Sequence, residues 1–72
     1  MFKITFDLEA DALYISFKSG PAQVTTVQIS ADVAVDLDKD GRVQGIEILG
    51  ASKYLDFTDN RPSVILTGIE PI

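Results

Sequence analysis

The fold of this chain depends on one segment, VAVDLDKDGRVQGIEIL, which covers residues 33–49. Its carboxylates match the calcium-loop pattern Asp-x-Asp-x-Asp-Gly-x5-Glu, with Asp36, Asp38 and Asp40 in the first three positions and Glu47 in the last. The same segment alternates apolar and polar residues on both sides of an Asp-Gly pair, which is typical of a β-hairpin. The calcium loop and the hairpin exclude each other, so the choice between them decides whether the segment could carry metal chemistry.

Two arguments favour the hairpin over the calcium loop. A calcium loop of this type lies between two helices, whereas residues 33–35 are mostly β-branched and are poor helix formers. In a hairpin that turns at residues 39–41, Asp36 lies opposite residues 44–45, and Glu47 lies roughly 7–10 Å further along the strand. Glu47 could not then share an ion with the aspartates, because calcium ligands lie about 2.3–2.6 Å from the metal. A calcium site built on the three aspartates stays the alternative hypothesis, and we expect no metal or cofactor.

The loop of this hairpin has two possible forms. In the first, a three-residue loop places Gly41 in the left-handed region, Leu37 faces Val43, and a bulge at residues 44–45 returns the following isoleucines to the core. In the second, Asp40 and Gly41 form a two-residue type I′ turn and the two strands pair in register. We favour the first form, because a glycine within a strand pattern usually marks a bulge.

The rest of the sequence is also β-prone. Apolar alternation or β-branched composition predicts strands at residues 2–6, 13–17 and 24–29, and Ser19-Gly20-Pro21 ends the second of them. One or two helical turns are expected at residues 51–56. The chain is therefore predicted to be mainly β, a small antiparallel sheet of about five or six strands with one short helix. The predicted core consists of Phe2, Ile4, Phe6, Leu13, Ile15, Phe17, Val27, Ile29, Val33, Val35, Leu37, Ile46, Ile48 and Leu55.

The size of the chain makes a partner subunit plausible. It has 72 residues, 46% of them hydrophobic, which is enough for one packed core. A core of this size often needs reinforcement, and a chain without cysteine has no disulfides to supply it, so a homodimer is expected. Residues 1–58 form the predicted β domain, and residues 59–72 are a linker and a C-terminal strand or arm. Its apolar residues Val64, Ile65 and Leu66 are expected to pack either on their own sheet or on a neighbour's edge, at a subunit interface.

The net charge of the chain indicates which classes of molecule could bind it. The net charge is -5 at pH 7, so the surface repels phosphate backbones, and nucleic-acid binding is not expected. An acidic surface does suit a basic protein partner. No apolar run reaches the roughly 18 residues that a membrane span needs, and the N-terminus lacks the features of a signal peptide. We therefore expect a cytoplasmic protein without a membrane partner.

Candidate catalytic groups are few. The chain has no histidine that could activate its serines. Asp7, Glu9 and Asp11 form an acidic cluster, but paired carboxylates perform acid–base chemistry only in a cleft that separates their pKa values. A six-residue connection on a small sheet offers no such cleft. We therefore expect neither catalytic residues nor enzyme activity.

Two blocks of the sequence carry a resemblance to a known family. The first is Ile-Thr-Phe-Asp at 4–7 followed by Glu-Ala-Asp-Ala-Leu-Tyr-Ile at 9–15. The second is Val-Asp-Leu-Asp-Lys-Asp-Gly-Arg-Val at 35–43, which leads into Gly-Ile-Glu-Ile-Leu at 45–49 and Ala-Ser-Lys at 51–53. Together they resemble the bacterial family catalogued as domain of unknown function 2283, over about residues 1–55.

The resemblance implies a small, mostly β protein with a short helix and no established activity, catalytic residue or ligand. Members of the family look like short stand-alone bacterial proteins, some of them encoded beside small toxin-like proteins. The expected function is therefore a non-enzymatic protein-interaction module, and an antitoxin-like role is compatible with the acidic charge.

Overall fold

The computed structural model describes residues 2–19 and 23–68, and the regular structure of this part of the chain is almost entirely β. Its strands are β1 (Lys3–Asp7), β2 (Ala12–Ser16), β3 (Thr25–Gln28), β4 (Val33–Leu37), β5 (Val43–Leu49), β6 (Phe57–Thr58) and β7 (Arg61–Pro62). A single 3₁₀ turn, Ala51–Lys53, lies between β5 and β6. The predicted helix at 51–56 is therefore reduced to one 3₁₀ turn, since the Tyr54 N–H closes it on the Ala51 carbonyl at 3.0 Å and the chain then extends into β6.

Five of the strands form one antiparallel sheet in the order β1-β2-β5-β4-β3. β1 and β2, which match the first two predicted strands, form an N-terminal hairpin, and β3, β4 and β5 follow as a meander. The two units join where β2 pairs with β5, so that Leu13 lies opposite Ile48 and Ile15 lies opposite Ile46. The predicted fold class, mainly β with an antiparallel sheet, is confirmed.

The hairpin of β4 and β5 contains the predicted bulge. Leu37 lies opposite Val43, whereas Asp36 lies opposite Gly45, which leaves Gln44 as the extra residue of β5. Beyond the bulge the pairing places Ile46 and Ile48 on the same face as the valines of β4. The expected return of these isoleucines to the apolar side is confirmed.

The loop between β4 and β5 has the first of its two predicted forms. Gly41 has a φ of +80°, in the left-handed region that favours glycine. The Asp38 N–H donates to the Arg42 carbonyl at 2.8 Å, and the Gly41 N–H donates to the Asp38 carbonyl at 3.0 Å. Three residues therefore lie between the last paired positions, and the alternative two-residue turn is wrong for this chain.

The register divides the sheet into two faces, because successive side chains of a strand point to opposite sides. The apolar face carries Ile4, Phe6, Leu13, Ile15, Val27, Val33, Val35, Leu37, Val43, Ile46 and Ile48. The polar face carries Lys3, Thr5, Asp7, Ala12, Tyr14, Ser16, Thr26, Gln28, Ala34, Asp36, Gly45, Glu47 and Leu49.

The apolar face is only partly covered by the described part of the chain. One corner is covered where the Phe57 ring packs on Phe6 with its centroid 5.1 Å away. Buried hydrophobic residues in the described ranges are Leu13, Ala34 and Ala51. The core prediction is wrong for Phe2, Ile4, Phe17, Val27 and Ile29, whose exposed fractions are 36–62%. The remaining predicted core residues other than Leu13 are half-buried, because a single sheet has no second layer over its apolar side.

The start of the predicted linker, residues 59–62, belongs to a small hairpin that begins within the predicted domain, at residue 57. β6 pairs with β7, so that Phe57 lies opposite Pro62. Asp59 and Asn60 both have positive φ values, 53° and 63°, as the central residues of a type I′ turn do. This hairpin holds Phe57 beside the sheet, which an unstructured linker would not do.

The residues after β7 form no regular secondary structure as far as residue 68. Val64, Ile65 and Leu66 do not form the strand expected of them, and their exposed fractions are 64%, 88% and 99%. The break predicted at Gly20-Pro21 and the end of the predicted arm, residues 69–72, lie outside the described residues.

Gly41 offers a test of the loop geometry. A Cβ at this position would meet no atom within 4 Å, so an alanine there would act only through the positive φ. We expect Gly41→Ala to lower the free energy of unfolding by about 1–2 kcal/mol, measured by urea denaturation. Gly41→Asn is the matched control and should lose less, because asparagine tolerates the left-handed region. Equal stability of all three proteins would contradict this loop.

Candidate functional site

A hydrogen-bonded network crosses the polar face and joins three strands, β2, β3 and β4. The Tyr14 hydroxyl on β2 donates to Asp36 Oδ2 on β4 at 2.7 Å, and the Thr26 hydroxyl on β3 donates to Asp36 Oδ1 at 2.6 Å. β5 lies between β2 and β4, so the Tyr14 side chain reaches across it. Both carboxylate oxygens of Asp36 therefore have partners within the sheet.

Gly45 on β5 leaves the space that Tyr14 occupies. A Cβ at position 45 would overlap the Tyr14 hydroxyl and its Cζ atom. The bulge at Gln44 is what brings Gly45 opposite Asp36, at the point where the tyrosine crosses. The Tyr14–Asp36 hydrogen bond therefore depends on both the bulge and Gly45.

The hydrogen bonds of this network shift the pKa values of Asp36 and Tyr14 away from 7. The hydrogen bond from Thr26, followed by that from Tyr14, holds the pKa of Asp36 below its usual value. The hydrogen bond to Asp36, followed by burial and the negative charges of Asp36 and Glu47, raises the pKa of Tyr14 to about 12. At pH 7 the carboxylate is ionised and the phenol is neutral. A general acid or base would instead need a pKa near the working pH.

A second cluster fastens the 3₁₀ turn to the sheet. Asp32 Oδ2 accepts hydrogen bonds from Lys53 Nζ at 2.8 Å and from the Tyr54 hydroxyl, and these partners, Lys53 first, lower the pKa of Asp32. On the other side, the Ser52 N–H and hydroxyl donate to the Asp11 carboxylate at 3.0 Å and 2.6 Å. The turn is thereby tied to the two chain reversals that precede β2 and β4.

The structure does not support the calcium hypothesis. Asp38 Oδ1 accepts from the backbone N–H groups of Asp40 and Arg42 at 2.9 Å each, as a turn residue does, and the Arg42 bond is the main cause that lowers its pKa. Asp36 belongs to the network, and Glu47 lies opposite Tyr14. Within residues 2–19 and 23–68, no group of three or more Asp, Glu, His or Cys side chains could hold a metal ion.

The acidic residues of the first connection also have separate roles. Asp7 Oδ1 accepts from the Ala10 N–H at 3.1 Å and shapes the turn between β1 and β2. Asp11 holds Ser52, and Glu9 is exposed. The structure therefore does not assemble the three carboxylates into one acid–base site.

A further feature of the sheet is the apolar surface that the described residues leave exposed. Much of the exposed apolar surface belongs to the apolar face and its ends and to the C-terminal segment: Phe2, Ile4, Phe17, Val27, Ile29, Val43, Val64, Ile65 and Leu66. An exposed apolar patch of this extent is typical of an interaction site.

A groove lies between β1 and the β6–β7 hairpin. Its volume is about 690 Å³, and its lining residues are Ile4, Phe6, Leu8, Asp59, Asn60, Arg61, Pro62 and Val64. The β1 residues and Val64 make one part of it apolar, and the turn of the small hairpin makes the rest polar. Of the three predicted interface residues, Val64 lines this groove, whereas Ile65 and Leu66 do not and are 88% and 99% exposed.

Sequence reasoning missed the polar network and the groove. Tyr14 stands at the polar parity of an otherwise apolar strand, which is the one local sign of a special role. Its partner Asp36 lies 22 residues away on β4, and Thr26, which donates to the same carboxylate, lies on β3. The pairing of β2 with β5 that brings Tyr14 near Asp36 leaves no local pattern. The groove depends on the unexpected β6–β7 hairpin.

No helix in the described ranges has the length and apolar composition of a membrane span.

Comparisons with known proteins identify the family of the chain but no activity. The family model described as Protein of unknown function (DUF2283) matches residues 3–52, which bears out the resemblance seen in the sequence. An uncharacterized protein of Methanocaldococcus jannaschii is 43% identical over 54 residues. That alignment covers 75% of this chain but 45% of the relative, so the chain spans less than half of the relative's length. No solved structure matches the chain significantly.

The titration of Tyr14 tests the network. Because its pKa is raised to about 12, this phenol stabilises the fold below the unfolded value near 10, and the effect is lost as the pH rises toward 12. In Tyr54→Phe, which leaves Tyr14 as the only tyrosine, we expect ultraviolet absorbance to report tyrosinate formation near pH 12. Asp36→Asn in the same background should move this pKa back toward 10. A pKa near 10 in both proteins would contradict the hydrogen bond.

Gly45 and Tyr14 should also be energetically coupled. Gly45→Ala is expected to displace the Tyr14 ring and its hydrogen bond and to lower the free energy of unfolding by about 1–3 kcal/mol. In a Tyr14→Ala background the same substitution should cost nothing or should stabilise the strand, because the overlapping atoms are gone. Urea denaturation of the four proteins completes a double-mutant cycle, and additive effects would contradict the close approach.

Proposed function

The chain belongs to the DUF2283 family, a family of unknown function, and from that premise we propose that it is a non-enzymatic protein-interaction module that works as a homodimer. In this proposal the apolar faces of two copies pack against each other. The polar faces then point outward and remain available to other proteins.

The exposed apolar face of the sheet is the observation that carries this proposal. On this face Ile4, Val27 and Val43 are 36–40% exposed, and most of its other side chains are only half-buried. An exposed apolar face of this kind is typical of an interface. A second copy offers the same apolar face, and two sheets packed face to face form the core that one sheet lacks.

The hydrogen bonds of the acidic side chains favour a structural role over a catalytic one. Asp36, Asp32 and Asp11 accept hydrogen bonds that hold parts of the fold together. The pKa values of Asp36 and Tyr14 both move away from the range that acid–base catalysis requires. These side chains therefore suit a structural role.

The charge favours a basic protein as a further partner of the dimer. The polar face carries Asp7, Asp36 and Glu47 against one cation, Lys3, and the net charge of the chain is -5. Such a surface would attract a basic protein, as an antitoxin-like module does, and would repel nucleic acid. We propose the cytoplasm as its compartment, which fits a chain without cysteine.

A charge placed on the apolar face should separate the dimer. Val27 is 40% exposed on β3, so a lysine there is tolerated in the monomer but would be buried without a partner in the dimer. We expect Val27→Lys to weaken dimerisation by at least about a hundredfold, measured by light scattering over a range of concentrations.

Gln28→Lys is the matched control for this experiment. It adds the same charge to the next residue of the same strand but on the polar face, and a lysine can still donate to the Ser30 carbonyl, which Gln28 Nε2 contacts at 2.6 Å. This variant should dimerise as the unmodified chain does. A chain that is monomeric at the highest soluble concentration, or equal loss in both variants, would contradict the proposed interface.

A further inference from the structure

We propose that the C-terminal segment of one copy docks in the groove beside β1 of the second copy, so that the two chains exchange arms. This inference rests on the proposed homodimer and assigns it a second contact. The docking residues are Ile65 and Leu66, and the receiving surface is made by Ile4, Phe6 and Leu8.

The exposure of the arm is the first argument. Val64, Ile65 and Leu66 are three consecutive apolar residues with exposed fractions of 64%, 88% and 99%. A run of this kind in water is unfavourable unless another surface covers it. Val64 already lines the groove of its own chain, whereas the two residues after it do not and are almost fully exposed. A second copy offers the same groove as a surface that could cover them.

The area that a stable dimer needs is the second argument. A standard interface buries about 800 Å² of accessible surface on each partner. Part of the apolar face is already covered where Phe57 packs on Phe6. The exposed side chains of Ile65 and Leu66 would add apolar area to the contact between the two faces.

The arm is also long enough. From Pro62 to Leu66 there are four residues, and extended chain covers roughly 3.3 Å per residue, or about 13 Å in total. Two sheets that pack face to face lie about 10 Å apart. An arm that leaves β7 can thus cross to the partner's sheet without any change in the β6–β7 hairpin.

The groove is suited to an extended apolar segment. β1 is an edge strand that pairs with β2 on one side, and its side chains Ile4 and Phe6 line the groove. Edge strands offer unpaired backbone groups to an added strand, and alternate side chains of the incoming segment can enter apolar pockets. Leu8, which is 60% exposed, and Ile4 supply the apolar surface here.

Cross-linking can detect the exchanged arm directly, because the chain has no cysteine of its own. Leu66→Cys places a thiol on the arm, and Leu8→Cys places one in the groove. When the two variants, one enlarged by a tag, are mixed and oxidised, we expect a disulfide between chains of different size. Thr5→Cys, on the opposite face of the same β1 strand, is the matched control and should give only background. Equal yields with Leu8→Cys and Thr5→Cys would overturn the inference.

The arm should also contribute to the dissociation constant of the dimer. Ile65→Ser combined with Leu66→Ser should raise that constant at least about a hundredfold, since two large apolar side chains are removed from each interface. Thr67→Ala, one residue further along, is the control and should leave it unchanged. Circular dichroism confirms that each variant keeps its sheet.

The outcomes separate this inference from the proposed function. If the double variant dimerises as well as the unmodified chain while Val27→Lys does not, the face-to-face dimer stands and the exchanged arm is wrong. If the unmodified chain is monomeric at every soluble concentration, both are wrong. A weakened dimer together with the Leu66→Cys to Leu8→Cys disulfide supports both.

Discussion

The orientation of the central strands depends on a single extra residue, Gln44. Without it, the pairing that begins at Leu37 and Val43 would continue in step, and the isoleucines of β5 would turn to the polar side. With it, Ile46 and Ile48 face the valines of β4, and Gly45 lies opposite Asp36 where Tyr14 crosses. Both faces of the sheet thus take their character from the same irregularity in β5.

The second constraint is that one sheet cannot bury its own apolar face. A stable domain needs two packed layers, and here the second layer amounts to the 3₁₀ turn, the segment around Phe57 and the small β6–β7 hairpin. The polar side chains, in contrast, need no further partner, since the described residues contain no buried side-chain nitrogen or oxygen without a hydrogen-bond partner. What the chain lacks is therefore apolar cover, and an interaction partner is the natural source of it.

The sequence predicted the parts of this fold that leave a local pattern. Alternation gave the strands and their parity, and Gly41 and Gly45 marked the loop and the bulge. Parity does not show whether anything covers a face, so it wrongly places Phe2, Val27 and Ile29 in the core. Strands of two residues have no period, so the pattern does not predict the β6–β7 hairpin, although Asp59 and Asn60 suit a type I′ turn. The Tyr14–Asp36 contact depends on the strand order, which the sequence does not reveal.

The two edges of the sheet differ in how far they would let an assembly grow. Every residue of β3 is exposed, and the strand contains neither proline nor a charged residue, the features that usually keep strand edges apart. If two copies paired through their β3 strands, each copy would use up its β3 edge. Such a symmetric contact between identical edges closes on itself. β1 is flanked by the groove and the β6–β7 hairpin. A chain without that hairpin would have two open edges, and strand addition would then continue into filaments instead of stopping at a finite complex.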